Sequence, residues 1–340
     1  MSLPFLHPKT GNPPATQREE RITLPLDRRG FLTGTTPNVD RSQNPAAAFA
    51  LSKEVGKVVM FWVTPNGTGL YAKLSQVNPV AGITNYEVVR RMGLVPIVTL
   101  NPWTVLPSKG VVRNDGSASD DFSDAHFVSQ LCNEARQIAT RFHPEYLSIG
   151  NEVNTVYEAK GERVFKDLAS LEKSLYRAVK EASPTTKVVV VLSYSQLRDL
   201  PGAPRFHLIS ALEDSYDVLG ITTYPWKEYA TAEELPADYY ARLASYTRKP
   251  IGFTEIAWSS DPTQGGSEQK QVDYLLRFLE LTKGLKMEFV NWAFLHDLPP
   301  SSVTGYVVQR YHLGLGLRKY DGTPKKVWHH FRALAQLPGP

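Results

Sequence analysis

Eight short β-rich runs, separated by longer helical stretches, constrain this chain more than any other feature. The runs are 31–35, 57–64, 95–101, 146–151, 187–193, 217–224, 250–255 and 288–294. Most are continuous apolar segments, as strands covered on both faces of a parallel sheet must be. Their starts lie roughly 26 to 51 residues apart, room for a strand, a helix and two loops. The segments between them predict helices over 85–92, 124–142, 161–182, 206–214, 237–247 and 268–281, and the tail, 327–337, reads as the last helix. Alternation of strand and helix argues for a parallel sheet with crossovers, and eight such units argue for a closed (β/α)8 TIM barrel. The doubly wound alternative would carry a G-x-G-x-x-G loop after a strand, and none is present.

A chain of 340 residues fits one barrel with insertions. Residues 1–27 are rich in proline and polar residues and read as an N-terminal arm; residues 28–340 read as the catalytic barrel, with no composition shift to mark a second domain. The formal charge is +4, but the densest basic spots, Arg28-Arg29 and Lys325-Lys326, are only pairs. Nucleic-acid binding, which concentrates its cations in a stripe, is not expected. No apolar run approaches a membrane span, and the start, Met1-Ser2-Leu3-Pro4-Phe5, lacks a signal-peptide pattern, which leaves the compartment open. The single cysteine, Cys132, excludes an intrachain disulfide and reads as a packed helical thiol. Asn66-Gly67-Thr68 fits a glycosylation sequon. His329-His330 lacks metal-ligand spacing, so neither metal nor cofactor is expected.

Barrel enzymes place their chemistry at the C-terminal ends of the strands. The fourth run ends Gly150-Asn151-Glu152 and the seventh ends Phe253-Thr254-Glu255. Two carboxylates three strands apart around the ring can face each other across the mouth. Glycosidic cleavage needs such a pair, one to protonate the leaving oxygen and one to capture the oxocarbenium-like centre. Asn151 is placed to donate to a sugar hydroxyl. Tyr224, ending the sixth run, is placed to donate to Glu255 and favour its charged form. Trp292, near the end of the eighth run, reads as an apolar floor under a sugar ring, with Trp103, Trp226 and Trp258 extending the stacking surface.

These positions resemble glycoside hydrolase clan A: Asn-Glu ending strand four, tyrosine ending strand six, glutamate ending strand seven and tryptophan ending strand eight. Tyr224-Pro225-Trp226 and the strand order look most like the endo-galactanase family. The resemblance implies a retaining glycosidase acting on a β-linked oligo- or polysaccharide, with Glu152 as acid/base and Glu255 as nucleophile. Two departures stand out. Many clan members carry an arginine near the end of strand two, where this chain reads Met60-Phe61-Trp62-Val63-Thr64. Some carry a histidine two residues before the strand-six tyrosine, where this chain has Thr222.

Each residue also has a plainer reading. Glu152 alone would be a helix-start acid, and Glu255 alone a buried ion-pair partner. Their pairing at strand ends four and seven favours chemistry. The tryptophans are as readily core as platform, and His296-Asp297 reads better as a loop cap than as a substrate contact. A transglycosylase using the same site and a non-catalytic carbohydrate-binding barrel are the alternatives; retention of both glutamates weighs against the second. The partner expected is a carbohydrate, not a nucleic acid or a membrane, and the oligomeric state is not fixed by the sequence.

Overall fold

The structure is a computed structural model that describes residues 22–64, 69–106, 110–198, 204–302 and 310–340. The sequon at 66–68, most of the N-terminal arm and most of the 201–204 loop lie outside these residues.

The chain runs β1 (Leu32–Thr35), α1 (Pro45–Glu54), β2 (Val58–Val63), α2 (Leu70–Leu74), α3 (Asn85–Arg91), β3 (Val95–Leu100), β4 (Trp103–Leu106), β5 (Gly110–Arg113), α4 (Ala125–Phe142) and β6 (Tyr146–Ile149). It continues α5 (Thr155–Ala182), β7 (Lys187–Ser193), α6 (Tyr194–Arg198), α7 (His207–Ala211), β8 (Val218–Thr223), β9 (Ile251–Ile256), α8 (Glu268–Leu281), β10 (Met287–Trp292) and α9 (Lys326–Gln336). Strands β1, β2, β3, β6, β7, β8, β9 and β10 close into a parallel barrel in that order, with β10 returning to β1. All eight expected strands are present. The antiparallel hairpin β4–β5 is an insertion above β3 that the run pattern did not announce.

Period-two alternation sorts the strand residues into inward and outward sets. Val58, Met60, Val95, Ile97, Tyr146, Val189, Val191, Val218 and Phe289 form one cluster inside the barrel. The outward residues join the helices in the main core, where Phe253 meets Phe278 of α8 at 4.8 Å between ring centroids. Phe289 fills the barrel because Gly252 faces it: a Cβ there would stand 2.4 Å from the ring.

Helix limits follow local chemistry. Thr84 and Glu87 make a reciprocal capping box on α3, and Asp124 caps α4 through the amides of His126 and Phe127. α5 breaks at Gly161, whose φ of 78° lies outside the helical region, so the helix expected from 161 is its second limb. The helix expected over 237–247 is only a 3-10 turn, Ala241–Ser245. Tyr239 and Tyr240, just before it, are both buried and pack edge to face on each other. Among the described residues no helix is long and apolar enough to cross a membrane.

Candidate active site

Glu152 lies in the loop leaving β6. Gly150 has φ 85° and Glu152 φ 50°, both left-handed. A Cβ at Gly150 would sit 2.9 Å from Val153 and 3.0 Å from the Trp103 ring, so the loop can pack down only with glycine there. The loop is fixed from both sides. The Gly150 amide donates to the Leu100 carbonyl (2.7 Å) and the Val153 amide to that of Val191 (2.9 Å). The Asn154 side chain donates to the Ser193 carbonyl (2.9 Å) and accepts from the Ser193 amide (2.8 Å). These bonds hold a non-glycine residue in a costly conformation, a feature that gathers at functional sites.

Glu255 reaches the same place by a different device. Gly252 points inward and Phe253 outward, so strict alternation would send Glu255 toward the helices. Instead β9 carries one extra residue. Ile221 pairs with Phe253, but the next residue, Thr222, pairs with Glu255; on the other edge Val290 pairs with Phe253 and Trp292 with Ile256. The bulge at Thr254 re-aims Glu255 into the barrel mouth. Thr222, its register partner, donates through Oγ1 to Glu152 Oε1 at 2.5 Å, and the charge of Glu152 acts on the Glu255 carboxyl. Tyr224 donates its hydroxyl to Glu255 Oε2.

The profile described as "Glycosyl hydrolase family 53" matches residues 129–289, a stretch that holds both glutamates and Tyr224. The chain is a glycosidase, and this stretch of it resembles family 53 of the glycoside hydrolases. The match agrees with the endo-galactanase resemblance. No curated protein matches the glycosidase in sequence. Its fold is that of a GH5_18 variant from Streptomyces cattleya solved with Manβ1-4GlcNAc (TM-score 0.68, 13% identity, 92% of this chain and 83% of that one). It is likewise that of the exo-β-1,4-mannosidase Op5Man5 from Opitutaceae bacterium strain TAV5 (TM-score 0.66, 15% identity, 91% and 60%). A family 39 glycoside hydrolase from Bacteroides cellulosilyticus WH2 shares it too (TM-score 0.61, 16% identity, 92% and 64%).

In the glycosidase the tryptophans divide. Trp292 is fully buried. Inward Phe289 forces Trp292 outward, where it meets Phe331 of α9 and Tyr274 of α8 and donates its indole N–H to the Leu315 carbonyl at 2.7 Å. It is wall, not sugar floor. Trp258 is buried against Tyr274, and Trp103 is buried against Phe122 beneath Gly150; neither is a platform. Trp226 stays at the mouth, its ring 6.1 Å from that of Tyr311. The tryptophan missed in the sequence is Trp62. It shares the inward face of β2 with Val58 and Met60 and is 36% exposed at the open end. Alternation along 58–62 was the available signal.

His296 and Asp297 are structural. His296 Nδ1 contacts the Asn38 carbonyl, and Asp297 pairs with buried Lys325 at 2.6 Å. Among the described residues no group of three or more His, Cys, Asp or Glu side chains is arranged to hold a metal.

Burial, and next the charge of Glu152, push the Glu255 carboxyl up to about 7. Tyr224, Lys227 and Asn151 act in the opposite direction. The expected Tyr224 bond is therefore present, but burial outweighs it, and the pair holds a proton near neutrality. Lys227, in the turn after β8, stands with Nζ 3.7 Å above the Tyr311 ring and 5.3 Å from that of Tyr224. Desolvation among these rings lowers its pKa, while Glu152, Glu255 and Glu228 raise it. His312, beside Tyr311 at 4.2 Å, is pushed down to about 4 by burial and by Lys227. Lys227, Tyr311 and His312 carried no sequence signal, because they come from loops that meet only once the barrel closes.

Proposed function

We propose that the glycosidase hydrolyses a β-linked oligo- or polysaccharide by double displacement, with retention of anomeric configuration. The observation that carries this reading is the convergence of Glu152 and Glu255 through Thr222, the register partner of one and the hydrogen-bond donor to the other. In the reactive form the shared proton is on Glu152 and the charge on Glu255. Tyr224 and Asn151 favour that form by stabilising the Glu255 carboxylate. Glu152 gives its proton to the leaving glycosidic oxygen while a Glu255 oxygen bonds to the anomeric carbon. Glu152, now charged, takes a proton from water; the hydroxide oxygen bonds to the anomeric carbon and the Glu255 ester breaks. Asn151 Oδ1 and Trp226 Nε1 are buried with no hydrogen-bond partner. These two orphaned polar atoms, one on the residue before Glu152 and one two residues after Tyr224, are apt partners for sugar hydroxyls. Trp62 and Trp226 supply aromatic surface at the mouth.

A retaining pair stands about 5–5.5 Å apart, and an inverting pair leaves room for water at about 6.5–9.5 Å. Proton NMR of the first-formed sugar is the deciding experiment. The expected product keeps the β anomer; an α anomer at early time overturns the nucleophile assignment. A panel of dyed β-linked polysaccharides finds the substrate.

A further inference from the structure

Lys227 is exposed in the turn after β8, and its ammonium rests on tyrosine faces without an acceptor. It makes no hydrogen bond and no ion pair among the described residues, and its contacts are the faces of Tyr311 at 3.7 Å and Tyr224 at 5.3 Å. Tyr224 in turn donates to Glu255, so the cation stands one ring away from the carboxyl pair. A lysine serving only to balance that pair would reach a carboxylate directly; this one is held back on a tyrosine face with three N–H donors open to the cleft. Among the described residues its charge is one that acts on Glu255. His312 is uncharged near neutrality, and Arg198 is engaged with Glu228 and over the Tyr239 ring. A neutral sugar needs no charge here. A sugar carrying its own carboxylate, brought beside two glutamates, needs one.

We propose that Lys227 makes this cleft selective for acidic sugars, its ammonium pairing with the carboxylate of a β-linked hexuronic acid at the scissile bond. The inference rests on the glycosidase reading above and narrows its substrate. It is tested with p-nitrophenyl glycosides in pairs that differ only at C6, β-glucuronide against β-glucoside and β-galacturonide against β-galactoside. In at least one pair the wild-type protein is expected to favour the acid by roughly tenfold or more in kcat/KM. Lys227→Met is expected to remove most of that preference through a raised KM for the acid, and Lys227→Arg to keep part of it. Preference for the neutral member of both pairs overturns the proposal and leaves the glycosidase reading intact, as does cleavage of neutral polysaccharides alone. A Lys227→Met variant that lowers both members of a pair equally also overturns it, since the lysine then serves the glutamates and not the substrate. Failure to cleave any β-glycoside overturns the glycosidase reading itself.

Discussion

At neutral pH Glu255 is close to half-protonated, because burial and Glu152 hold its pKa near 7. Titration through that value takes the one proton the pair shares and leaves no acid for the leaving oxygen. The basic limb of kcat/KM, which reports the free enzyme, is therefore expected near pH 7. A limb at pH 4–5 would show that the charged form is better solvated than the burial implies. Tyr224→Phe removes a donor that favours the charge. The limb should move to higher pH, and kcat should fall by roughly one to two orders of magnitude, the worth of a hydrogen bond to a charged group. Thr222→Val should lower kcat by about tenfold with little change in KM, because the Glu152 carboxyl loses the donor that pins it. Steady-state kinetics across pH checks both. At this scale the sequence reveals residue types and strand ends, so Glu152, Glu255 and Tyr224 can be chosen from it. The role of Thr222 cannot, because a threonine in an apolar strand looks the same whether it faces helix or cleft.

Strand residues are sorted by which way they point, and there the sequence misleads at two elements. β10 is buried on both faces, so its apolar run carries no sign of parity; only the packing of Phe289 inside the barrel shows that Trp292 faces the helices. In β9 the apolar run conceals the bulge at Thr254, a backbone event that no side-chain pattern announces. The strands themselves are readable because burial demands continuous apolar runs. The 3-10 turn at Ala241–Ser245 is not, because over so short a stretch the spacing of apolar residues reads the same for a 3-10 turn as for an α-helix. The corrected placement of the tryptophans separates two variants. Trp292→Phe should lower stability by about 1–3 kcal/mol, since the Leu315 carbonyl loses a good donor at 2.7 Å, and should leave KM unchanged. Trp62→Ala should raise KM several-fold and leave stability within about 0.5 kcal/mol, as for most surface substitutions. Urea titration and substrate kinetics on the two proteins distinguish wall from platform. A Trp292→Phe variant of native stability with a raised KM would restore the sugar-floor role.

Across the whole molecule the barrel brings together groups that would otherwise repel, and the cost is visible in the pH dependence of stability. The eight-fold rhythm of strands gives the closed sheet, and closure puts Glu152, Glu255 and the loop carrying Tyr311 around one mouth; rhythm can be read from a sequence, whereas convergence needs the closed geometry. Glu255 has a folded pKa of about 7 against an ordinary value of 4.5. A carboxyl raised on folding contributes its stability in full below the unfolded value and loses it as pH climbs through the folded one. Between pH 4.5 and 7 the folded state is thus penalised progressively, by about 1.4 kcal/mol per unit, to a total on the order of 3 kcal/mol above pH 7. Glu255→Gln keeps the shape and an acceptor for the Tyr224 hydroxyl but never ionises. The inactive variant should therefore be more stable than the wild type at about pH 8, melting a few degrees higher, and indistinguishable at about pH 4, where both side chains are neutral. Other buried acids with raised values, Glu172 and Asp297, are common to both proteins and cancel in the comparison. Thermal unfolding of the pair at the two pH values measures the difference. A variant that is destabilised at pH 8 would mean that the glutamate is held charged by the fold, and that the proton of the pair resides elsewhere.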